Sequence, residues 1–203
     1  MKTCLPVILF FILAILSGCN KDKQNKTGDN NPVPDHYNIS ANIHTEIFSF
    51  TDQSDGTIWV EDLQDFHSDS CYISYKSFIK RDSSDTALGI IFRDYYKGPC
   101  GQEDIAFNSL ISTGNHTFSD GYSAGVAVFF CDSFSVWSTE YGTQTNSSFN
   151  IATSESMEND PFYNQPRRKI LGTFECTLYD AKGNSKNVTN GKFYLYIISH
   201  PDW

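Results

Sequence analysis

Ile170-Leu171-Gly172-Thr173-Phe174-Glu175-Cys176-Thr177-Leu178, the turn Tyr179-Asp180-Ala181-Lys182-Gly183-Asn184, and the return Val188-Thr189-Asn190-Gly191-Lys192-Phe193-Tyr194-Leu195-Tyr196-Ile197 decide the fold. Ile170, Gly172, Phe174, Cys176 and Leu178 share one parity, and alternate residues of a strand point to the same face. Gly183 in the polar turn is expected to take a positive φ, a conformation strained for a β-branched side chain. Phe193, Leu195 and Ile197 restore the alternation after Asn190-Gly191 interrupts it. This predicts a long antiparallel hairpin with a glycine-kinked return strand.

The same period of two continues toward the N-terminus. Cys71, Ile73, Tyr75, Ser77 and Ile79 alternate with Tyr72, Ser74, Lys76, Phe78 and Lys80, 81–85 is a polar turn, and Leu88, Ile90 and Phe92 alternate after it. Setting Lys80 opposite Thr86 puts Cys71 opposite about Tyr95. Ile39, Ala41 and Ile43 share a face. Phe48 and Phe50 change parity, which predicts a bulge or break near Thr45. Ile58 and Val60 follow the 52–56 turn, with Trp59 on the other face. Ile105-Ala106-Phe107 reads as a short strand, Val126, Val128 and Phe130 as another that runs on through Phe134, Val136 and Trp137, and 145–153 as a further one. Residues 154–168 read as a loop, and the basic Arg167-Arg168-Lys169 as a solvated strand start. Roughly nine or ten short strands without a convincing helix predict an all-β domain over 37–203. The expected form is a two-sheet antiparallel β-sandwich, with a lipocalin-like barrel as the alternative.

Residues 1–18 carry Lys2 and then the apolar run 5–16, followed by Ser17, Gly18 and Cys19. Twelve apolar residues are too few for a bilayer core of about 30 Å, which takes about 20, so the run reads as a cleaved signal peptide. Leu16-Ser17-Gly18-Cys19 resembles the bacterial lipobox. That resemblance implies diacylglycerol on the Cys19 sulfur, cleavage before it, and acylation of the new amine, with palmitate among the chains. Two or three chains anchor a protein stably where one does not. Residues 19–36 are polar with almost nothing to bury, which predicts a disordered tether. Its charged start loosely resembles the surface-export signals of Bacteroidota lipoproteins. The expected location is the cell envelope, as an outer-membrane lipoprotein exposed at the surface, with the membrane as a partner through the lipid.

The net charge of −9 falls by one more unit when Lys2 leaves. Such an acidic domain is a poor partner for nucleic acid. In an exported domain, Cys71, Cys100, Cys131 and Cys176 suggest two disulfides, for which three connectivities exist. The hairpin register brings Cys71 near Cys100. Cys131 with Cys176 then follows by elimination, both lying in apolar strands. No Cys-x-x-Cys pair and no closely spaced His pair is present, so neither metal nor cofactor is expected.

No catalytic signature stands out. Serines are plentiful, but none lies in Gly-x-Ser-x-Gly. Trp59, Tyr95, Tyr96, Trp137 and Tyr141 fall off the apolar alternation or in loops. Rings with polar handles suit sugar and protein recognition, and equally suit packing on a second sheet face. Asp85-Thr86-Ala87 resembles the acceptor pattern for O-glycosylation of exported Bacteroidota proteins, which makes Thr86 a candidate. The strand and turn pattern of 172–193 is similar to that of small β-rich Bacteroidota lipoproteins of unknown function. That resemblance supports fold and location and brings no catalytic residues. The expected role is non-catalytic binding or structure, with a glycan or an envelope protein as partner. A glycan-directed hydrolase would show a cleft with two close carboxylates, and a carrier would show a hollow closed barrel.

Overall fold

The computed structural model describes residues 36–52, 56–67, 70–81, 84–97, 103–161 and 164–199, with backbone alone for 56–67, 70–71, 96–97 and 103–106. The signal peptide 1–18, Cys19, the tether up to Asp35 and Cys100 lie outside them. In chain order the elements are β1 Asn38–Ile43, β2 Glu46–Thr51, β3 Gly56–His67, β4 Ser70–Arg81, β5 Ala87–Lys97, α1 Glu103–Leu110, β6 Gly114–Asn115, β7 Gly125–Cys131, β8 Val136–Ser138, β9 Ser148–Ser156, β10 Arg167–Tyr179 and β11 Ser185–Ile198.

The terminal hairpin forms as its alternation demands. β10 and β11 pair antiparallel from Arg167↔Ile198 to Tyr179↔Ser185, with a register shift between Phe174 and Cys176 where Asn190 takes a positive φ. Gly183 turns the chain at φ 85°. Asp180 Oδ1 accepts the Lys182 and Asn184 backbone N–H groups, so the turn is held by its own aspartate. Near Thr45 the parity change is a tight hairpin turn: Ile43 pairs with Glu46, and His44 sits at φ 57°.

The β4–β5 hairpin is displaced by one residue from expectation. Lys80 pairs with Ala87 and Cys71 with Tyr96. The Arg81 N–H donates to the Thr86 carbonyl, which puts Thr86 in the turn. The strand expected at 105–107 is instead part of α1. Phe107 and Ile111 are both buried at helical spacing of four, and Phe107 packs edge-on against Tyr75 at 5.0 Å.

The strands hydrogen-bond into one antiparallel sheet of order β2-β1-β11-β10-β8-β7-β5-β4-β3, with β9 on β10 and β6 on β9. The all-β class is therefore as the alternation predicts. β2 and β3 are consecutive in the chain yet hold opposite edges of this nine-strand path. Laid flat at about 4.8 Å per strand, those edges would stand roughly 38 Å apart. The five steps from Thr51 to Gly56 span at most about 18 Å. The sheet must curl, and its interior holds one core in which Ile39, Phe50 and Phe193 meet Tyr75, Leu88 and Phe92. No ladder joins β2 to β3 among the described residues, so the curl is open there.

The outer face carries a second, smaller cluster of Phe78, Ala87 and Phe129, against which Ile91 and Cys131 pack. This corrects the expected Cys131–Cys176 disulfide: both thiols are free. Cys176 belongs to the inner core, while Cys131 follows Phe130 on the opposite parity and lies on the outer side. The sheet itself stands between the two sulfurs. The Cys71 side chain and Cys100 are outside the described residues. No helix among the described residues is long and apolar enough to cross a membrane.

Candidate functional site

The sheet forks at β10. One edge of β10 pairs with β9 from Arg168 to Glu175 and with β8 at Tyr179. β8 in turn ladders to β7 over Phe129–Cys131. Beyond β8, β7 and β9 diverge. Their far ends are rejoined by 114–119, since β6 pairs with β9 and Phe118 bridges in parallel to Val126. The Val126 N–H donates to the Thr117 carbonyl, and the Ser119 N–H to the Val126 carbonyl. The result is an opening within one sheet, framed on every side by hydrogen-bonded backbone.

The connection 139–147 from β8 to β9 is pinned into this frame. Ser138 Oγ accepts the Glu140 N–H and caps the 3-10 turn Thr139–Tyr141. The Val128 N–H donates to Thr139 Oγ1 at 3.1 Å. Gln144 imitates a strand. Its Nε2 donates to the Thr177 carbonyl at 2.8 Å, and its Oε1 accepts the Thr177 N–H at 3.1 Å. Thr177 lies between the β9 and β8 pairings of β10, so one side-chain amide supplies the partner that the missing strand residue would give. The same Nε2 reaches the Thr139 carbonyl at 3.0 Å, and Tyr179 Oη donates to the Thr143 carbonyl at 2.9 Å.

Between these segments lies an open cleft of about 730 Å³. One wall is His116, Thr117, Phe118, Ser119 and Asp120, and the other is Glu140, Tyr141, Gly142, Thr143, Gln144 and Ser147. Its ionisable groups are occupied by the fold. Both oxygens of Glu140 bind Arg93, through Nε and, at 3.0 Å, Nη2; Arg93 Nη1 also donates to Tyr72 Oη. Arg93 and Glu140 are largely buried, at 16% and 11% side-chain exposure. Asp120 Oδ1 accepts the Tyr122 and Ser123 N–H groups and the Ser123 hydroxyl. The Tyr122 N–H first, then the Ser123 hydroxyl, hold the Asp120 carboxyl below its ordinary pKa. None of these bonds uses Oδ2.

His116 Nε2 lies 2.8 Å from the Ser112 carbonyl, which makes it the protonated nitrogen. Its ring packs edge-on against Phe92 and Phe149. Ser119 Oγ donates to the Ser123 carbonyl and accepts the Gly121 N–H. There is thus no base within this cleft poised on a serine. No group of three His, Cys, Asp or Glu among the described residues could hold a metal ion. What the arrangement offers is hydroxyl, amide and carboxylate groups beside an exposed ring.

Of the aromatics expected to bind, Tyr141 stands in the cleft wall and is half exposed, and Tyr95 is exposed on β5. The side chains of Trp59 and Tyr96 are outside the described residues. Trp137 is a correction. It pairs with the inward-facing Phe130, so it shares that face and is buried in the core. Lys186 Nζ sits 4.0 Å from its ring centroid, a cation–π contact that closes it off. Thr86 stays at the hairpin turn, where its Oγ1 accepts from Ser84 Oγ at 3.0 Å. The sequence reading missed Arg93, Gln144 and Tyr122. Gly114-Asn115-His116 and Ser119-Asp120-Gly121, both of turn composition, were the signals at that wall. No known protein family, curated protein or solved structure matches this chain.

Proposed function

We propose that this protein is a lipid-anchored envelope protein that binds a hydroxyl-rich ligand of the glycan class in the cleft at the fork, without catalysing a reaction on it. In this reading Cys19 carries the lipid, 19–36 is the tether, and 37–203 is the binding domain, displayed at the outer membrane in the manner of small Bacteroidota lipoproteins. The two wings of the curled sheet act as the layers of an open sandwich. The observation that carries the binding role is the cleft itself: a rigid backbone frame with the Tyr141 ring beside polar groups. Sugar rings stack on such aromatic faces while their hydroxyls take the hydrogen bonds. The hydrolase reading loses support because Glu140 is committed to Arg93 and Asp120 is held below its ordinary pKa, opposite to a general acid.

A glycan array and a pull-down from envelope extract, both with the lipidated protein in detergent, test the reading. Saturable glycan binding that is lost in Tyr141→Ala supports it, and a blank array sinks it. The anchor is tested separately. Cys19→Ala is expected to abolish labelling by a palmitate analogue, and label retained on that variant would remove the lipid from the argument.

A further inference from the structure

Exposed tyrosines stand near the cleft as well as in it. Tyr122 is 90% exposed, Tyr141 52% and Tyr95 45%. A Cβ built on Gly121 would lie 3.9 Å from the Cβ of Glu140, so the turn at 120–123 touches the 3-10 turn across the cleft. Tyr122 and Tyr141 each follow one of these touching residues. With about 3.8 Å between successive Cα atoms, their own Cα atoms stand within roughly 15 Å. Tyr95 lies two residues from Arg93 on the same face of β5, about 7 Å away, and Arg93 grips Glu140. The three rings therefore flank one side-chain network.

Tyr122 is not a loose tip. Asp120 Oδ1 holds its N–H at 3.0 Å, and Ser119 Oγ and Ser123 Oγ brace the residues on either side. A large ring carried into solvent on a braced backbone contributes almost nothing to folding, and it loses little entropy on binding because Tyr has only two χ angles. Near these rings stands an acceptor, Asp120 Oδ2, that the bonds of its own turn do not use. Rings beside an acceptor suit a chain of sugar units, which offers faces to stack and edges to hydrogen-bond.

We infer that the cleft is one subsite of a longer groove, and that the ligand is a linear oligosaccharide spanning it. Tyr141 stacks on the unit inside the cleft, and Tyr122 and Tyr95 stack on units outside. This rests on the glycan-binding reading and adds the length of the ligand.

Titration calorimetry of the full lipidated chain in detergent tests it. The probes are disaccharides and hexasaccharides of β-1,4-linked glucose, mannose, xylose and N-acetylglucosamine, and of α-1,4-linked glucose. In the series that binds, the hexasaccharide is expected to bind about tenfold tighter than the disaccharide. Tyr122→Ala should remove most of that gain and leave disaccharide binding unchanged, while Tyr141→Ala weakens both. If Tyr122→Ala and Tyr95→Ala bind hexasaccharide like the native chain while Tyr141→Ala does not, the groove is overturned and the cleft reading stands. No binding in any series at millimolar concentration overturns both. A proline-rich hexapeptide that binds tighter than every sugar, and loses affinity in Tyr122→Ala, assigns these rings to a peptide and overturns the sugar assignment.

Discussion

At Gly183 a single residue sets a turn. A Cβ there would meet nothing within 4 Å, so space is not the constraint; the φ of 85° is. Gly183→Val is expected to cost about 1–2 kcal/mol through backbone strain alone, read as a lower midpoint in denaturant at an unchanged slope. Gly172 is constrained differently. A Cβ there would lie 2.1 Å from the Asn150 carbonyl and 2.4 Å from the Phe193 ring, so here the constraint is close packing. The Arg93–Glu140 pair is the other residue-scale feature. Glu140→Ala leaves a largely buried guanidinium without its carboxylate, with only Tyr72 Oη as a partner, and should cost about 3 kcal/mol, whereas Arg93→Met with Glu140→Leu together should come out near neutral. Equal losses in the single and double variants would show that the pair only fills space.

At the scale of elements, the connection 139–147 is an irregular segment doing a strand's work. Gln144 is the group on which this depends, because it serves both the N–H and the carbonyl of Thr177. Gln144→Ala should leave those groups to water and destabilise the protein by about 1–2 kcal/mol. The more specific readout is hydrogen exchange: the Thr177 amide should lose protection well before its neighbours in β10. Unchanged protection there would mean that the fork is held by Tyr179 and Thr139 alone. In either case the cleft owes its rigidity to side chains that complete the sheet.

At the scale of the whole molecule, burial decides the chemistry of several groups. Desolvation raises the Cys176 and Cys131 thiols and the phenols of Tyr37, Tyr194 and Tyr196 above their ordinary values. Tyr37 stacks on Tyr194 at 5.2 Å and lies 5.0 Å from Tyr196, so the phenols share one environment. A raised acid pKa means that the folded state keeps its proton after the unfolded chain has lost it. The stabilisation is intact below about pH 8.5 for the thiols and about pH 10 for the phenols, and it is lost as pH climbs through the raised values. Stability is therefore expected to fall on the alkaline side, and Cys176 should resist alkylation at pH 8 until the protein unfolds. Under denaturing, non-reducing conditions both Cys131 and Cys176 should take up iodoacetamide. A peptide joining the two would contradict the placement of the sheet between them.

In the terminal hairpin strand identity was a local property, and the sequence alone determined it, whereas 154–156 and 167–168, read as loop, belong to β9 and β10. Period two in 170–178 and 193–197 leaves one arrangement that buries Phe174, Leu178, Phe193 and Leu195 together, and the Asp180 to Asn184 turn closes it. The run ending at Cys19 was equally local and carried the expectation of an anchored envelope protein, while the acidic balance argued against a nucleic-acid partner. The helix at 103–110 escaped because four apolar positions within seven residues fit either period when the segment is short. Which edge meets which was decided only by the tertiary structure. The curl, the fork at β10, the opposite-face placement of Cys131 and Cys176 and the meeting of Arg93 with Glu140 all depend on pairings between residues distant in the chain. Alternation says which face a side chain takes. It carries no information about which strand lies beside it, and the cleft exists only because β7 and β10, which share β8, part beyond it.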